Sequence, residues 1–234
     1  MCVRFSWICF FCLVSQSAYG EEKLWHNEIA LGLVMTTGNT DEENFNGQGD
    51  FTRDAEKWRN NFHVDTLRSS KDDELSAQKL YTSIKSDYKF GDDRYFFNRV
   101  SYEDDRFSGF DHQVDFTLGY GQNLLDRNNL KLKVDVGPGN RWSKLDNSIS
   151  ESEAIVRIAG DLVWKISATT DFEQKLSTEV GNDATISRSV SSVKSIVLGR
   201  LAMKFSYSVK HNSQVPVAAS KTDTETSVTL VYSF

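Results

Sequence analysis

Apolar and polar residues alternate along most of the chain after residue 20. Mostly apolar side chains stand at every second position in the five clearest runs, which are 110–120, 130–136, 154–166, 203–209 and 228–234. A helix would scatter such residues over several faces, whereas a strand places them on one face and their neighbours on the other. The two-residue period therefore predicts β-strands, and no stretch shows a convincing helical period of 3.6 residues.

The alternation predicts an all-β fold of twelve strands. The strands are expected near 24–36, 43–53, 57–69, 75–90, 94–105, 108–125, 129–142, 152–166, 169–181, 187–198, 201–212 and 221–234. In the strand at 187–198 the pattern does not show which face is the apolar one. The strands are longer than the roughly 5–6 residues common in soluble sheets. Each is long enough to cross a bilayer, which takes about 9–11 residues.

Tight connections alternate with connections that are mostly longer. The tight ones are 53–57, 91–94, 125–129, 167–169 and 199–200, and the longer ones are 37–42, 70–74, 143–151, 182–186 and 213–220. Bacterial outer-membrane barrels have short turns on one rim, longer loops on the other and an even number of strands. Because an open sheet edge is not tolerated in hydrocarbon, the sequence predicts a single closed antiparallel transmembrane β-barrel with both termini on the periplasmic side.

Residues 1–20 have the order of a secretory signal peptide. Arg4 is followed by an apolar run from Phe5 to Val14, and small residues at Ala18 and Gly20 precede the expected cleavage point. The apolar run is about ten residues, whereas a membrane-spanning helix needs roughly 20. We therefore expect a signal peptide at 1–20, cleaved near Gly20, and one barrel domain at 21–234.

Composition narrows the function classes. The chain has 234 residues and a formal net charge of −6, which argues against a nucleic-acid partner. Its low mean hydropathy excludes a polytopic helical membrane protein but not a barrel, in which every second residue can be polar. All three cysteines, at positions 2, 9 and 12, lie in the expected signal peptide. We therefore expect neither a disulfide nor a cysteine nucleophile in the mature protein.

The last strand ends on an aromatic residue. Leu230, Tyr232 and Phe234 stand at alternate positions up to the final residue. This ending resembles the signal read by the outer-membrane barrel assembly machinery. With the export signal, it predicts a location in the outer membrane of a Gram-negative bacterium, with outer-membrane lipid and the assembly machinery as partners.

Ionised residues collect on the face opposite the apolar one. A Lys or Arg facing lipid would cost roughly 2–4 kcal/mol at the bilayer midplane, so this face is assigned to the lumen. The predicted lumen-lining charges are Arg99, Glu103, Asp115, Lys131, Lys133, Arg141, Arg157, Asp161, Lys165, Asp171 and Lys175. Two interpretations stay open: a water-filled pore for ions or small solutes, or a lumen filled by neutralising pairs.

The charged residues of the eighth and ninth strands predict how these two strands pair. A turn near Ala168 would place Lys165 opposite Asp171, Asp161 opposite Lys175, and Arg157 opposite Glu179. Three pairs of opposite charge would then share one face, and each cross-strand pair contributes about 0.2–1 kcal/mol. We expect this register.

Gly137-Pro138-Gly139 interrupts the seventh strand. Pro138 cannot donate a hydrogen bond to a neighbouring strand. We expect a bulge or bend at a point where the lumen is crowded.

Several segments together resemble one protein family. They are Thr37-Gly38-Asn39-Thr40, Glu56-Lys57-Trp58-Arg59, Ser86-Asp87-Tyr88-Lys89, the stretch 102–110, Gly137-Pro138-Gly139, Lys221-Thr222-Asp223-Thr224 and the final five residues. Across nearly the whole mature chain the sequence resembles the YdiY-like proteins, a domain-of-unknown-function family described as salt-induced outer-membrane proteins. The resemblance implies a barrel fold and an outer-membrane location, and it carries no catalytic residues.

Candidate chemistry is sparse. Glu103, Asp104, Asp105 and Asp111 could hold Ca²⁺ through oxygen ligands, but Arg106 among them favours self-neutralisation. We expect no metal site, no cofactor and no catalytic residue. The sequence thus predicts a non-enzymatic outer-membrane protein, either a narrow pore or an osmotic-stress component of the envelope.

Two alternatives come from other classes. His112 near Ser108 at a rim could serve a lipid-modifying enzyme of the outer membrane, which would need Ser, His and an orienting group together. The chain could also be a soluble periplasmic β-barrel that binds a small molecule, which washing of membranes would release.

Overall fold

The computed structural model describes residues 24–36, 42–71, 74–105, 110–145, 150–215 and 220–234. The predicted signal peptide at 1–20 lies outside these residues. The strands are β1 (Trp25–Thr36), β2 (Glu42–Asp54), β3 (Trp58–Lys71), β4 (Glu74–Lys89), β5 (Arg94–Asp105), β6 (Phe110–Arg127), β7 (Leu130–Leu145), β8 (Ser150–Lys165), β9 (Thr170–Gly181), β10 (Thr185–Leu198), β11 (Leu201–Asn212) and β12 (Thr222–Ser233). All twelve predicted strands are present, with every end within three residues of its prediction.

No helix in the described part of the chain is long and apolar enough to cross a membrane.

The strands form one closed antiparallel barrel in which each pairs with its neighbours in sequence. β1 and β12 close the sheet through a short ladder, from Glu28 opposite Ser233 to Leu31 opposite Leu230. The start of β1 and the end of β12 therefore lie at one rim of the barrel, which we call the terminal rim. The tight turns lie at this rim as well. We call the opposite rim the far rim. The predicted closed all-β barrel is confirmed.

The contrast between short and long connections is weaker than predicted. At the far rim, residues 72–73 alone join β3 to β4, which is no longer than the turns at the terminal rim. The connections on this rim were predicted to be mostly longer; this one is short because β3 continues to Lys71, two residues past its expected end. The connection at 213–221 is long, as predicted.

Apolar side chains cover the outside of the barrel and ionised side chains face its inside. Leu31, Phe96 and Ile158 on the outer face keep 56%, 57% and 55% of their surface exposed. On the inner face Asp115 and Arg141 keep only 5% and 1%. This arrangement suits a barrel that has lipid around it and an enclosed polar interior.

The structure shows the phase of β10, which the sequence left open. Ile186 and Ser192 are buried on the inner face, and Val193 is exposed on the outer face. The outward positions between 187 and 195 are otherwise all serine, so the usual apolar alternation is missing. These residues are Ser187, Ser189, Ser191 and Ser195.

The Gly137-Pro138-Gly139 segment forms a close approach between strands rather than a bulge. The β6–β7 ladder has the same register on both sides, with Thr117 opposite Gly139 and Tyr120 opposite Val136. A side chain at Gly137 would meet the carbonyl oxygen of Leu118. Of the predicted bulge or bend, the bulge is wrong, because the register is unchanged across the segment. Glycine lets the two backbones approach here.

Two inward aromatic side chains fill the lumen beside Gly119 and Gly121 of β6, the strand that pairs with the Gly137-Pro138-Gly139 segment. Tyr95 and Phe97 of β5 are almost fully buried. Added side chains at Gly121 and Gly119 would collide with the rings of Tyr95 and Phe97, respectively. The Tyr95 hydroxyl donates to Asp135 Oδ1 at 2.8 Å, which satisfies its polar end. The expectation of a crowded lumen at this point is confirmed.

Candidate functional site

All eleven predicted lumen charges lie at the inward-facing positions of their strands. Lys131, Lys165 and Asp171 are at the terminal rim, where Lys165 is opposite Asp171 and Lys131 Nζ is 3.3 Å from Asp126 Oδ1. The other eight lie deeper. They are Arg99, Glu103, Asp115, Lys133, Arg141, Arg157, Asp161 and Lys175.

Arg141 of β7 joins three carboxylates from three other strands. Its Nε donates to Asp115 Oδ1 at 3.0 Å, its Nη1 to Glu153 Oε1 at 3.1 Å, and its Nη2 to Glu179 Oε2 at 2.9 Å. Charge-assisted bonds of this kind are among the stronger hydrogen bonds in proteins. Arg141 therefore ties together the wall formed by β6, β7, β8 and β9.

Contacts also cross the lumen from one wall to the other. Arg188 of β10 donates to Glu179 Oε2 at 2.9 Å and to Glu103 Oε2, on β5, at 2.7 Å. Lys210 of β11 donates to Glu103 Oε1 at 2.5 Å. These bonds extend the cluster across the interior of the barrel.

We call this cluster the charged layer. Its members are Arg99, Arg141, Arg157, Arg188, Lys210, Glu103, Asp115, Glu153 and Glu179. They come from strands β5 to β11. Arg188, Lys210 and Glu153 were not among the predicted lumen charges, and Glu179 was predicted only through its register with Arg157.

A vestibule lies between the charged layer and the terminal rim. It is a cavity of about 400 Å³ lined by cationic and acidic residues together, including Lys133, Lys175, Asp50 and Glu173. In the wall of the vestibule, Arg59 Nε donates to Asp87 Oδ2 at 2.8 Å and Lys85 Nζ to Asp135 Oδ2 at 2.5 Å.

Two further cavities continue past the layer. The central cavity, of about 270 Å³, adjoins the vestibule at Asp50, Lys85 and Lys175. The far cavity, also of about 270 Å³, adjoins the central one at Lys79, Arg188, Val190, Ser208 and Glu225. The three cavities thus follow one another from the vestibule toward the far rim.

The predicted β8–β9 register is confirmed. Arg157 is opposite Glu179, Asp161 opposite Lys175, and Lys165 opposite Asp171. The first of these pairs is also in contact, with Arg157 Nε 3.4 Å from Glu179 Oε1.

The structure does not assemble the acidic metal site considered from the sequence. Glu103 points into the lumen toward Arg188 and Lys210, whereas Asp111 accepts a bond from Lys144 Nζ at 2.8 Å. Within the described ranges no group of three or more His, Cys, Asp or Glu side chains could hold a metal ion.

His112 has aromatic and acidic neighbours. Its ring stacks on Tyr102 at 5.9 Å between centroids, and its Nδ1 is 3.5 Å from Asp111 Oδ2. Ser108 lies outside the described residues, so the arrangement proposed for a lipid hydrolase is not seen.

The C-terminal residues lie on the outer surface of the barrel. Leu230, Tyr232 and Phe234 are all exposed there, and the rings of Tyr232 and Phe234 stack at 5.9 Å. β12 reaches β1 through this segment, so the residues of the predicted assembly signal also lie beside the strands that close the barrel.

Comparisons with known proteins agree with this architecture. A family model described as "Protein of unknown function, DUF481" matches residues 29–234. An "Uncharacterized protein YdiY" of Escherichia coli strain K12 is 25% identical over 213 residues, which cover 91% of this chain and 84% of that protein.

Solved outer-membrane barrels are similar in fold. The NanC porin has a TM-score of 0.53 and 8% identity, with 89% of this chain and 98% of that chain covered. An outer-membrane channel of Pseudomonas putida F1 has a TM-score of 0.50 and 10% identity, with 90% and 95% covered. At such identities the likeness concerns the fold alone.

Proposed function

Since the chain belongs to the DUF481 family, which is described only as of unknown function, we propose from the geometry of its lumen that it is a narrow, non-enzymatic outer-membrane channel for small ions. The observation that carries this proposal is the row of three adjoining polar cavities beside the charged layer. Charged rings and polar walls of this kind select among ions in channels. The small cavities favour ions over larger solutes.

The outer surface supports a place in the outer membrane. A closed sheet leaves no unpaired edge in hydrocarbon, and the apolar outer face can contact acyl chains. Outer-membrane lipid and, during biogenesis, the barrel assembly machinery are the partners in this proposal. A role in salt or osmotic stress rests on the family resemblance alone.

Conductance across planar lipid bilayers tests the channel. We expect wild-type protein to give small unitary current steps in KCl. Ser208 lies inward where the central and far cavities adjoin, so Ser208→Trp should reduce the unitary conductance several-fold. Tyr207→Trp is the matched control, because Tyr207 is the adjacent residue and faces outward.

The absence of steps from folded wild-type protein would overturn the channel. Equal conductance of the folded Ser208→Trp and Tyr207→Trp proteins would overturn the proposed path. Folding of each variant is checked by its faster migration on gels before heating. Hydrolysis of phospholipid or lipopolysaccharide by the purified barrel, lost on His112→Ala, would contradict the non-enzymatic part of the proposal.

A further inference from the structure

The outer surface of β9 and β10 is polar in the middle of the barrel wall. Ser191 lies near the midpoint of β10 and faces outward. Leu162 of β8 and Tyr207 of β11 border this level on either side. We call the group around Ser191 the polar face. Its members are Gln174, Thr178, Ser187, Ser189 and Ser191. Residues at this depth of a membrane-crossing strand meet acyl chains, which offer no hydrogen bond.

The polar face has hydrogen-bonding capacity that it does not use. Gln174 Nε2 donates to Ser189 Oγ at 3.1 Å, and Gln174 Oε1 accepts from Ser191 Oγ at 2.5 Å. Ser189 therefore acts as an acceptor, and its own hydroxyl proton has no acceptor in the described part of the chain. Thr178 and Ser187 share one bond of 3.2 Å, which uses one of their two hydroxyl protons.

Other hydroxyls on the outer surface donate into their own sheet. Thr66 donates to the Lys79 carbonyl at 3.3 Å, and Thr82 donates to the His63 carbonyl at 3.0 Å. Ser189 makes no bond of this kind among the described residues. A polar group without a partner is unfavourable in an apolar environment. The polar face is therefore better suited to contact with another polar surface than to contact with lipid.

A projecting side chain and an open recess lie side by side in the same region. Leu176 stands between Ser189 of β10 and Gly160 of β8. Leu176 is 51% exposed. Apart from its chain neighbours, a side chain added at Gly160 would meet only the Lys133 carbonyl oxygen, at 3.8 Å. The surface thus presents a leucine that can enter a recess and, next to it, a recess that can receive a leucine.

A second copy of the barrel supplies both things that this surface lacks. Hydroxyl groups donate and accept, so two polar faces related by a two-fold axis can bond to each other. The Leu176 side chain of each copy can then enter the recess beside Gly160 of the other. Small side chains let two membrane-buried backbones approach closely.

We propose that the protein forms a side-by-side dimer in the outer membrane through the polar faces of β9 and β10. Acyl chains could fill the recess, but they would leave the hydroxyl proton of Ser189 without an acceptor. The dimer goes beyond the proposed channel and does not depend on conductance.

Cysteine cross-linking in outer membranes tests the dimer. The chain has no cysteine after position 12, so Leu176→Cys adds a single thiol to the barrel. We expect oxidation with copper phenanthroline to give a disulfide-linked dimer on non-reducing gels. Ile84→Cys is the matched control, because Ile84 is 54% exposed on β4, at the opposite wall. Equal yields from the two variants would overturn the proposed interface.

Ser189→Leu tests the part played by the free hydroxyl and the recess. The variant removes the hydroxyl and fills the space beside Leu176 with a side chain that suits lipid, so the barrel should still fold. With Leu176→Cys present, we expect the dimer yield to fall several-fold. Thr82→Leu also replaces an outward hydroxyl, but at the opposite wall, and should leave the yield unchanged. An unchanged yield in folded Ser189→Leu protein would overturn the interface.

Sedimentation of the detergent-solubilised, full barrel gives a second measurement. We expect the mass of two chains for wild-type protein and of one chain for Ser189→Leu. Gly160→Leu, which fills the recess from the other side, gives the same comparison if Ser189→Leu fails to fold. A wild-type monomer in detergent, together with no cross-link from Leu176→Cys in membranes, would overturn the dimer. A dimer that never conducts would keep this inference and overturn the channel.

Discussion

Arg141 is the residue of the lumen whose removal should most affect the free energy of unfolding. Its guanidinium is buried and is the meeting point of Asp115, Glu153 and Glu179. Burial of such a network costs desolvation free energy, so the intact network is not in itself evidence of high stability. Removal of one member is different, because it leaves its partners charged and unpaired in an enclosed space.

We predict that Arg141→Ala lowers the free energy of unfolding by about 3–5 kcal/mol. The measurement is urea unfolding of the barrel in lipid vesicles, followed by tryptophan fluorescence. Lys131→Ala is the control and should cost less than about 1 kcal/mol, since the Lys131–Asp126 pair is half-exposed. Similar losses for the two variants would show that the charged layer does not brace the wall.

At the residue scale the sequence predicted which charges face inward but not which of them meet. The free-energy cost of exposing a charge to lipid depends only on which face of the strand the residue occupies. The alternation of faces along each strand was therefore enough to place Asp115, Arg141 and Arg157 in the lumen, where the structure has them. The contact of Arg188 with Glu103 joins residues 85 apart in sequence and depends on how the barrel closes. Arg188 was also missed because it lies in the strand whose phase was open.

At the scale of elements, β9 and β10 explain that open phase. Their outward polar residues pair with one another, as in Thr178 with Ser187 at 3.2 Å and Thr170 with Ser195 at 3.1 Å. Ser191 donates to Gln174 Oε1 at 2.5 Å. Pairing lowers the cost of polar groups in an apolar environment, so a serine-rich outer face is tolerated here.

We predict that Ser191→Ala destabilises the barrel by about 1–3 kcal/mol in lipid vesicles, because it leaves Gln174 Oε1 without its donor. Adding Gln174→Leu should recover part of this loss, since it removes the orphaned Oε1 but also the bond from Gln174 Nε2 to Ser189 Oγ. Urea unfolding of the two single variants and the double variant forms a complete cycle. Additive losses in the double variant would contradict a direct interaction between the two side chains.

At the scale of the whole molecule, the two-residue period of apolar side chains was enough to predict the barrel. The strands are long enough to cross a bilayer, one face of each is apolar, and an unpaired strand edge is not tolerated in hydrocarbon, so the sheet has to close. The path of the cavities could not be predicted in this way. It depends on which inward side chains of the charged layer meet across the lumen, and on Tyr95 and Phe97 lying over Gly121 and Gly119. Such packing joins residues on different strands and leaves no periodic trace in the sequence.

The barrel closes only when β12 pairs with β1. The C-terminal residues therefore take part in closing the barrel and also lie exposed on its outer surface. Phe234 follows β12 and exchanges backbone hydrogen bonds with Asn27 of β1 at 3.0 and 3.3 Å. Its side chain is exposed on the outer surface, where an assembly factor could contact it before closure. The backbone bonds do not require an aromatic side chain, so recognition and stability can be separated by experiment.

We predict that Phe234→Ala reduces the amount of folded protein in the outer membrane several-fold but leaves refolding of purified protein in detergent unchanged. Cell fractionation and gel migration before and after heating measure the two quantities. Phe205→Ala is the matched control, because Phe205 is a similarly exposed outward aromatic residue away from the C-terminus. If both variants accumulate equally, the final residue acts only as a lipid-facing side chain; if Phe234→Ala also refolds poorly in detergent, its role is in closing the barrel rather than in recognition.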